Sequence, residues 1–175
     1  ATNKNLSEQE AERIQQEEDI KAQEEYIAEL EEIERKRKEQ AELLQSLIGN
    51  YDGSGMMWPL PGYSRLSSYF GYRSDPFTGV QSYHSGIDIP APTGTPIVAA
   101  YNGQVAWSYY SASAGNWIGI DHGSGLYTVY MHMSKLLVKE GEMVKTGDII
   151  GLCGSTGRST GPHLHFSVRL NGSYV

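Results

Sequence analysis

The alternation of hydrophobic and polar positions changes character once along the chain, near residue 48. Up to that point single apolar residues are spaced among Glu, Gln, Lys and Ala with no Pro or Gly, a composition that favours helix throughout. Ser7-Glu8-Gln9-Glu10 fits a capping box, so one long helix is predicted over 7–48, some 60 Å at about 1.5 Å per residue. A seven-residue repeat places Leu6, Ile20, Ile27, Ala41 and Ile48 at one seam position, interrupted by Arg13 and Glu34. The other seam position holds Leu30 and Leu44 but also Gln9, Gln16, Gln23 and Arg37. So broken a seam suits a helix that pairs with a second copy or a partner's helix better than an autonomous coiled coil; a charged spacer is the competing reading.

Beyond residue 48 the apolar runs become short, β-branched and aromatic, and all 20 Gly and 7 Pro of the chain fall here. Strands are predicted at 64–69, 87–89, 96–100, 104–109, 117–121, 128–132, 143–144, 148–153 and 163–170. No helical period occurs among them. The expected fold is therefore mainly β, a small antiparallel sheet or barrel-like domain preceded by the long helix. The expected organisation is a helix over 1–48, a Gly-rich joint over 49–55 and a β domain over 56–175. Within that domain Gly94-Thr95-Pro96-Ile97-Val98 followed by Asn102-Gly103-Gln104-Val105 resembles Gly141-Glu142-Met143-Val144 followed by Thr146-Gly147-Asp148-Ile149, as two copies of one hairpin-like unit would.

Strand alternation also sorts the candidate chemistry. In Gly161-Pro162-His163-Leu164-His165-Phe166-Ser167-Val168 the two histidines share one face, and Leu164, Phe166 and Val168 share the other. Such a pair is either solvated or holds a metal. His84 and Asp88 are four apart in an extended segment, which again means one face; they form either a loop hydrogen bond or part of a metal site. Together with one histidine of the late strand they would make a three-ligand zinc site whose fourth corner stays open to water. That is the catalytic pattern, and the single Cys153 argues against a thiolate-rich structural site. His132 closes a strand and reads as a surface residue or a member of the site. His122, before Gly123-Ser124-Gly125, reads as a turn residue without chemistry.

Charge adds a boundary and an exclusion. The formal net charge of −7 belongs to residues 1–48, which hold 7 Lys and Arg against 14 Asp and Glu; the remainder is balanced at 7 and 7. A near-neutral β domain gives no electrostatic reason to expect nucleic acid. No apolar run approaches the roughly 18 residues of a membrane span, and no leader-like segment follows Ala1, so a soluble chain is expected. A first residue other than Met, and a last residue inside strand-like sequence, suggest a piece of something longer.

Four motifs in order, His84-Ser85-Gly86-Ile87-Asp88, Tyr130-Met131-His132, Val144-Lys145-Thr146-Gly147-Asp148 and Thr156 through Phe166, resemble the peptidoglycan metalloendopeptidases of the lysostaphin/LytM type. The resemblance spans about 56–175 and leaves out the helix, although many such domains follow a coiled coil. It implies a small antiparallel β domain with its site in a groove, Zn2+ held by His84, Asp88 and His165, and His132 and His163 beside the metal-bound water as catalytic residues. It further implies hydrolysis of peptide bonds in bacterial peptidoglycan, outside the cytoplasmic membrane, whether secreted, periplasmic or bound to the wall. Whether the bond is glycyl-glycine or involves a D-amino acid stays open. So does the counterpart of the tyrosine that steadies the transition state in some members, for which Tyr72 and Tyr83 are candidates. The chain also ends before the terminal stretch usual in these domains. Relatives lacking the ligands act as regulators, so the alternatives are a regulatory or binding module that activates or scaffolds other wall enzymes through the helix, and a structural wall protein. Retention of all five residues favours the enzyme, with residues 7–48 left for self-association or a membrane-complex partner. Polar loops at 93–95, 111–115 and 155–160 are expected either to rim the groove or to serve only as turns.

Overall fold

The computed structural model describes residues 2–48 and 55–175, with the side chains of the N-terminal helix described at 9–36, 38 and 39. The chain divides into two compact units, Ala1–Leu43 and Leu44–Val175. The first consists of the helix α1, Thr2–Ile48, as far as Leu43. It starts five residues ahead of the predicted capping box, because nothing between Thr2 and Leu6 breaks helical geometry. Ile20, Ile27 and Leu30 of the proposed seams are exposed on it, and Arg35 pairs with Glu32 and Glu39 one turn away on either side. The joint placed at 49–55 lies outside the described residues except for Gly55.

The second unit is built from twelve strands: β1 Gly71–Ser74, β2 Gln81–His84, β3 Ile87–Pro90, β4 Pro96–Val98, β5 Gly103–Ser111, β6 Gly115–Asp121, β7 Leu126–Met133, β8 Lys135–Leu136, β9 Met143–Val144, β10 Ile149–Leu152, β11 His163–Leu170 and β12 Ser173–Tyr174. The main sheet runs β12-β11-β7-β6-β5-β9, and β3 lies along the first half of β11. A second sheet has the order β4-β10-β8, and β1 with β2 makes a separate hairpin. Every pairing is antiparallel and the sheets are open, in keeping with the mainly β expectation.

Apolar positions of the strands meet in one core. Ile89, Ile97, Ile118, Ile120, Tyr130, Ile150 and Leu164 are fully buried there. At roughly 1.5–3 kcal/mol for each fully buried aliphatic side chain, this cluster rather than any polar contact holds the sheets together. One polar network passes through it. The Ala100 amide donates to the Tyr130 hydroxyl (2.8 Å), Thr128 Oγ1 lies 2.9 Å from that hydroxyl, and His122 Nε2 lies 2.6 Å from Thr128 Oγ1. His122 Nδ1 donates to the Asn102 carbonyl (2.7 Å), and burial pushes the ring's pKa down, so neutral His122 ties turn to core. The sequence marked its turn position but not its burial.

Three expectations change. The two similar units are not hairpins, because their strands pair crosswise: β4 with β10 and β5 with β9. The repeat therefore describes two interlocked arms, each satisfying the other's backbone. Predicted strand 64–69 makes a single bridge, Ser68 to Asp88, because it meets only the tip of a four-residue strand already paired on its other edge. Strands β1, β2, β8 and β12 carry no hydrophobic run and went unpredicted; register with a neighbour defines them instead.

Candidate metal centre

Strand pairing alone brings two distant motifs together. In the β3–β11 ladder Asp88 stands opposite His165, and Pro90 stands opposite His163. His84 ends β2, two residues before Gly86 crosses against β11. A Cβ at Gly86 would overlap the Phe166 carbonyl oxygen, so only glycine lets the chain pass between His84 and Asp88 at this depth. On the other side of β11, His165 is paired with Met131, and the next residue, His132, has a left-handed backbone (φ 66°). The register slips between Asn116 and Ile118 opposite this point. That irregularity re-aims the His132 ring into the groove, where its centroid is 4.8 Å from His163 and 6.1 Å from His165.

His84, Asp88 and His165 are buried and face one another at close range. His84 Nε2 is 3.1 Å from Asp88 Oδ1 and 2.9 Å from His165 Nδ1, and His165 Nδ1 is 3.0 Å from Asp88 Oδ1. The far nitrogens are anchored. His84 Nδ1 donates to the Tyr69 carbonyl (2.8 Å), which leaves its Nε2 without a proton, and His165 Nε2 lies 2.9 Å from Ser167 Oγ. Of the three facing atoms at most one, His165 Nδ1, carries a proton in the neutral state. A single divalent cation satisfies all three at once: ligand bonds of about 2.0–2.2 Å in a tetrahedron set edges near 3.4 Å, slightly wider than the spacing here. Burial raises the Asp88 pKa, but hydrogen bonds and charges of His165 and His84 outweigh it and hold the carboxylate well below its usual range. The donor set thus fits a metal ion.

His163 and His132 stand beside this triangle with the same tautomer. His163 Nδ1 donates to the Gly161 carbonyl (2.8 Å) and His132 Nδ1 to the Thr156 carbonyl (2.8 Å), so each presents Nε2. His163 Nε2 is 3.6 Å from Asp88 Oδ1. Burial pushes the His132 pKa down to about 4, with the neighbouring imidazoles adding to the effect, so this ring is neutral at ordinary pH.

All five side chains open into one groove of about 780 Å³. The loops expected at 111–115 and 155–160 supply Ser111, Ser113, Ala114 and Arg158 through Thr160 to its lining. The loop at 93–95 does not line it, being fastened by Gly94 and Thr95 to Cys153; Pro76 and Phe77 of the β1–β2 turn take that place. Of the two candidate tyrosines Tyr83 lines the groove, whereas Tyr72, its cross-strand partner, stays exposed outside it. Cys153 is buried and its thiol is pushed up to about 11 by burial, so it takes no part. The sequence reading missed Arg73 and Trp117, both lining the groove and each with a buried nitrogen that finds no acceptor in the protein. A polar strand, Gly71-Tyr72-Arg73-Ser74, carries no pattern that would have marked the first.

Two imidazoles and one carboxylate at the floor of an open groove form the ligand set of a metal-dependent hydrolase. The chain belongs to peptidase family M23, whose family model matches residues 82–175 and so includes all five site residues. It is similar to the peptidoglycan DD-endopeptidase ShyC of Vibrio cholerae serotype O1, 47% identical over 111 residues that cover 63% of this chain and 26% of that protein. Among solved structures it is similar to a zinc-containing peptidase from Vibrio cholerae, at 38% identity and TM-score 0.63 over 69% of this chain and 38% of that one. It is also similar to the catalytic domain of the antimicrobial peptidase lysostaphin from Staphylococcus simulans, at 36% identity and TM-score 0.60 over 66% of this chain and 90% of that one. The chain spans about a quarter of the length of the curated relatives it matches.

Proposed function

We propose that this protein is a zinc-dependent endopeptidase that hydrolyses peptide bonds in bacterial peptidoglycan, outside the cytoplasmic membrane where that polymer lies. The observation that carries the reading is the triangle of His84, Asp88 and His165, whose facing atoms lie 2.9–3.1 Å apart, close enough to be held by one ion. These three residues would hold zinc, which when bound supplies a Lewis acid for the scissile carbonyl and acidifies a water molecule. His132 and His163 do the proton work. Their Nδ1 protons are committed to the Thr156 and Gly161 carbonyls, so Nε2 of one ring accepts the proton of the attacking water and the same Nε2 returns it to the departing amine. The groove that both rings line, about 780 Å³, has the volume to take a stretch of peptide. ShyC is named for the same polymer, and the description of the Vibrio cholerae neighbour as a zinc-containing peptidase supports the choice of metal. We assign the helix to self-association or to docking on a membrane-complex partner.

The test is digestion of purified peptidoglycan by the full chain with zinc, read by mass spectrometry of the released peptides. New amino termini at one defined peptide bond, abolished by a chelator and restored by zinc, are expected. Unchanged muropeptides at stoichiometric zinc would overturn the enzyme reading.

A further inference from the structure

The segment that leads into β11 hangs from two points. Among the described residues, Ser159, Thr160, Gly161 and Pro162 make no hydrogen bond to any residue outside 155–163. At one end His163 enters β11. At the other the Arg158 amide donates to the Ser113 carbonyl (2.9 Å), and the Arg158 guanidinium reaches the β1–β2 turn. There it makes a two-pronged bond to Asp75 (2.8 and 2.9 Å) and lies over the Phe77 ring, 4.5 Å from its centroid. A planar guanidinium can do both at once, and an ammonium cannot. Asp75 is itself fixed, because Oδ1 accepts from the Phe77 and Thr78 amides (2.8 and 3.0 Å). Arg158 and those amides hold its carboxyl well below the usual range.

The segment so clasped carries what orients His163. The ring's Nδ1 donates to the Gly161 carbonyl (2.8 Å), and the Ser159 hydroxyl, 3.3 Å from the same nitrogen, donates to that carbonyl as well (2.9 Å). The anchor of His132 is secured in another way: Thr156 Oγ1 donates to the Met133 carbonyl (2.6 Å) and accepts from the Asn116 amide (3.0 Å). One ring therefore depends on the clasp and the other does not. The Arg158 side chain is about half exposed (49%), and an ion pair so open to water contributes little to the stability of a fold. Its consequence is local.

On the peptidase reading above, we propose that Arg158 is a positioning residue: clasped to Asp75, it holds the segment before β11 so that the Gly161 carbonyl keeps the His163 ring with Nε2 toward the groove. It acts through the loop rather than by touching the reacting bond.

The test uses the zinc-loaded full chain and its Arg158→Gln, Arg158→Lys and Asp75→Asn variants, the last of which keeps an oxygen for the Phe77 and Thr78 amides. In Arg158→Gln, kcat on wall peptides is expected to fall about tenfold to a hundredfold, as a displaced proton-transfer group would cause. KM and zinc content should hold, and the melting temperature should stay within about 2 °C. Asp75→Asn should match that loss, and the double variant should lose no more than either alone, since both break one clasp. Arg158→Lys, a point charge in place of two parallel donors, should recover part of it. Nuclear magnetic resonance of isotope-labelled histidine reads the ring directly and needs no turnover: in Arg158→Gln His163 should pass from a single Nδ1–H form to a mixture of tautomers while His132 keeps its own. A single form retained by His163 overturns the inference. A rise in KM at unchanged kcat also overturns it, making the clasp a wall of the groove, and so does joint loss of zinc and melting temperature, which makes it a brace for the fold. If the unaltered protein cleaves no peptide, the peptidase reading falls instead, and the resonance comparison still decides this one.

Discussion

At the scale of single residues, the same imidazole side chain serves three different ends. His84 and His165 have one nitrogen anchored and the other turned to the triangle. His132 and His163 have Nδ1 anchored on a carbonyl and Nε2 left facing the groove. His122 has both nitrogens engaged inside the core. Partners, not residue type, make the difference, and they predict an alanine series. His84→Ala, Asp88→Ala and His165→Ala should each weaken zinc retention by a hundredfold or more, since two ligands cannot hold the ion as three do. His132→Ala and His163→Ala should keep one zinc per chain and lose nearly all turnover. Metal analysis after dialysis, alongside peptide release, separates the groups; a zinc-free His163→Ala protein would move that residue into the ligand set. Alternation at period two was enough to pair His163 with His165 in the sequence. It said nothing of His122's burial or of Arg73's place beside Asp88, because both depend on what the neighbouring strands bring.

At the scale of elements, β11 does the positioning. One edge takes β3 and sets Asp88 against His165; the other takes β7 and sets Met131 against the same residue, which puts His132 next in line. The crossing at Gly86 keeps this assembly together, since an added Cβ there meets the Phe166 carbonyl oxygen and Ser167 Oγ, backbone and buried side chain that have no room to yield. Gly86→Ala should destabilise the fold by about 1–3 kcal/mol, as overpacking does. It should also lower zinc affinity by pushing His84 away from β11. Thermal unfolding with and without zinc reads both, and an unchanged melting point with full zinc content would show that the strand can shift to accept a methyl group. The strong strands were legible from hydrophobic alternation, whereas β1, β2 and the crosswise arms were not. Short polar strands acquire their identity from a partner's register, and crosswise pairing is a property of two segments at once.

At the scale of the whole molecule, an acidic helix and a nearly neutral β unit share one chain. The helix leaves Ile20, Ile27 and Leu30 in solvent within its own unit, which is the basis for assigning it a helical partner. Sedimentation of the full chain against residues 56–175 checks the self-association form of that assignment. A concentration-dependent dimer is expected only when the helix is present, and a monomer across the micromolar range would leave docking on a different protein. What the sequence by itself determined is the division into helix and β unit, the face on which His163 and His165 lie, and the motif set that points to the family. The first two follow from composition and a period of two, and the motifs are a resemblance carried by short runs of residues; all are local and survive without a fold. Only the tertiary structure decided which atoms face one another: the triangle, the tautomers fixed by the Tyr69, Gly161 and Thr156 carbonyls, and Arg73 beside Asp88. Apart from the local Gly161–His163 and His84–Asp88 pairs, those are contacts across 15 to 81 residues of chain, set by strand register, and no local pattern carries register.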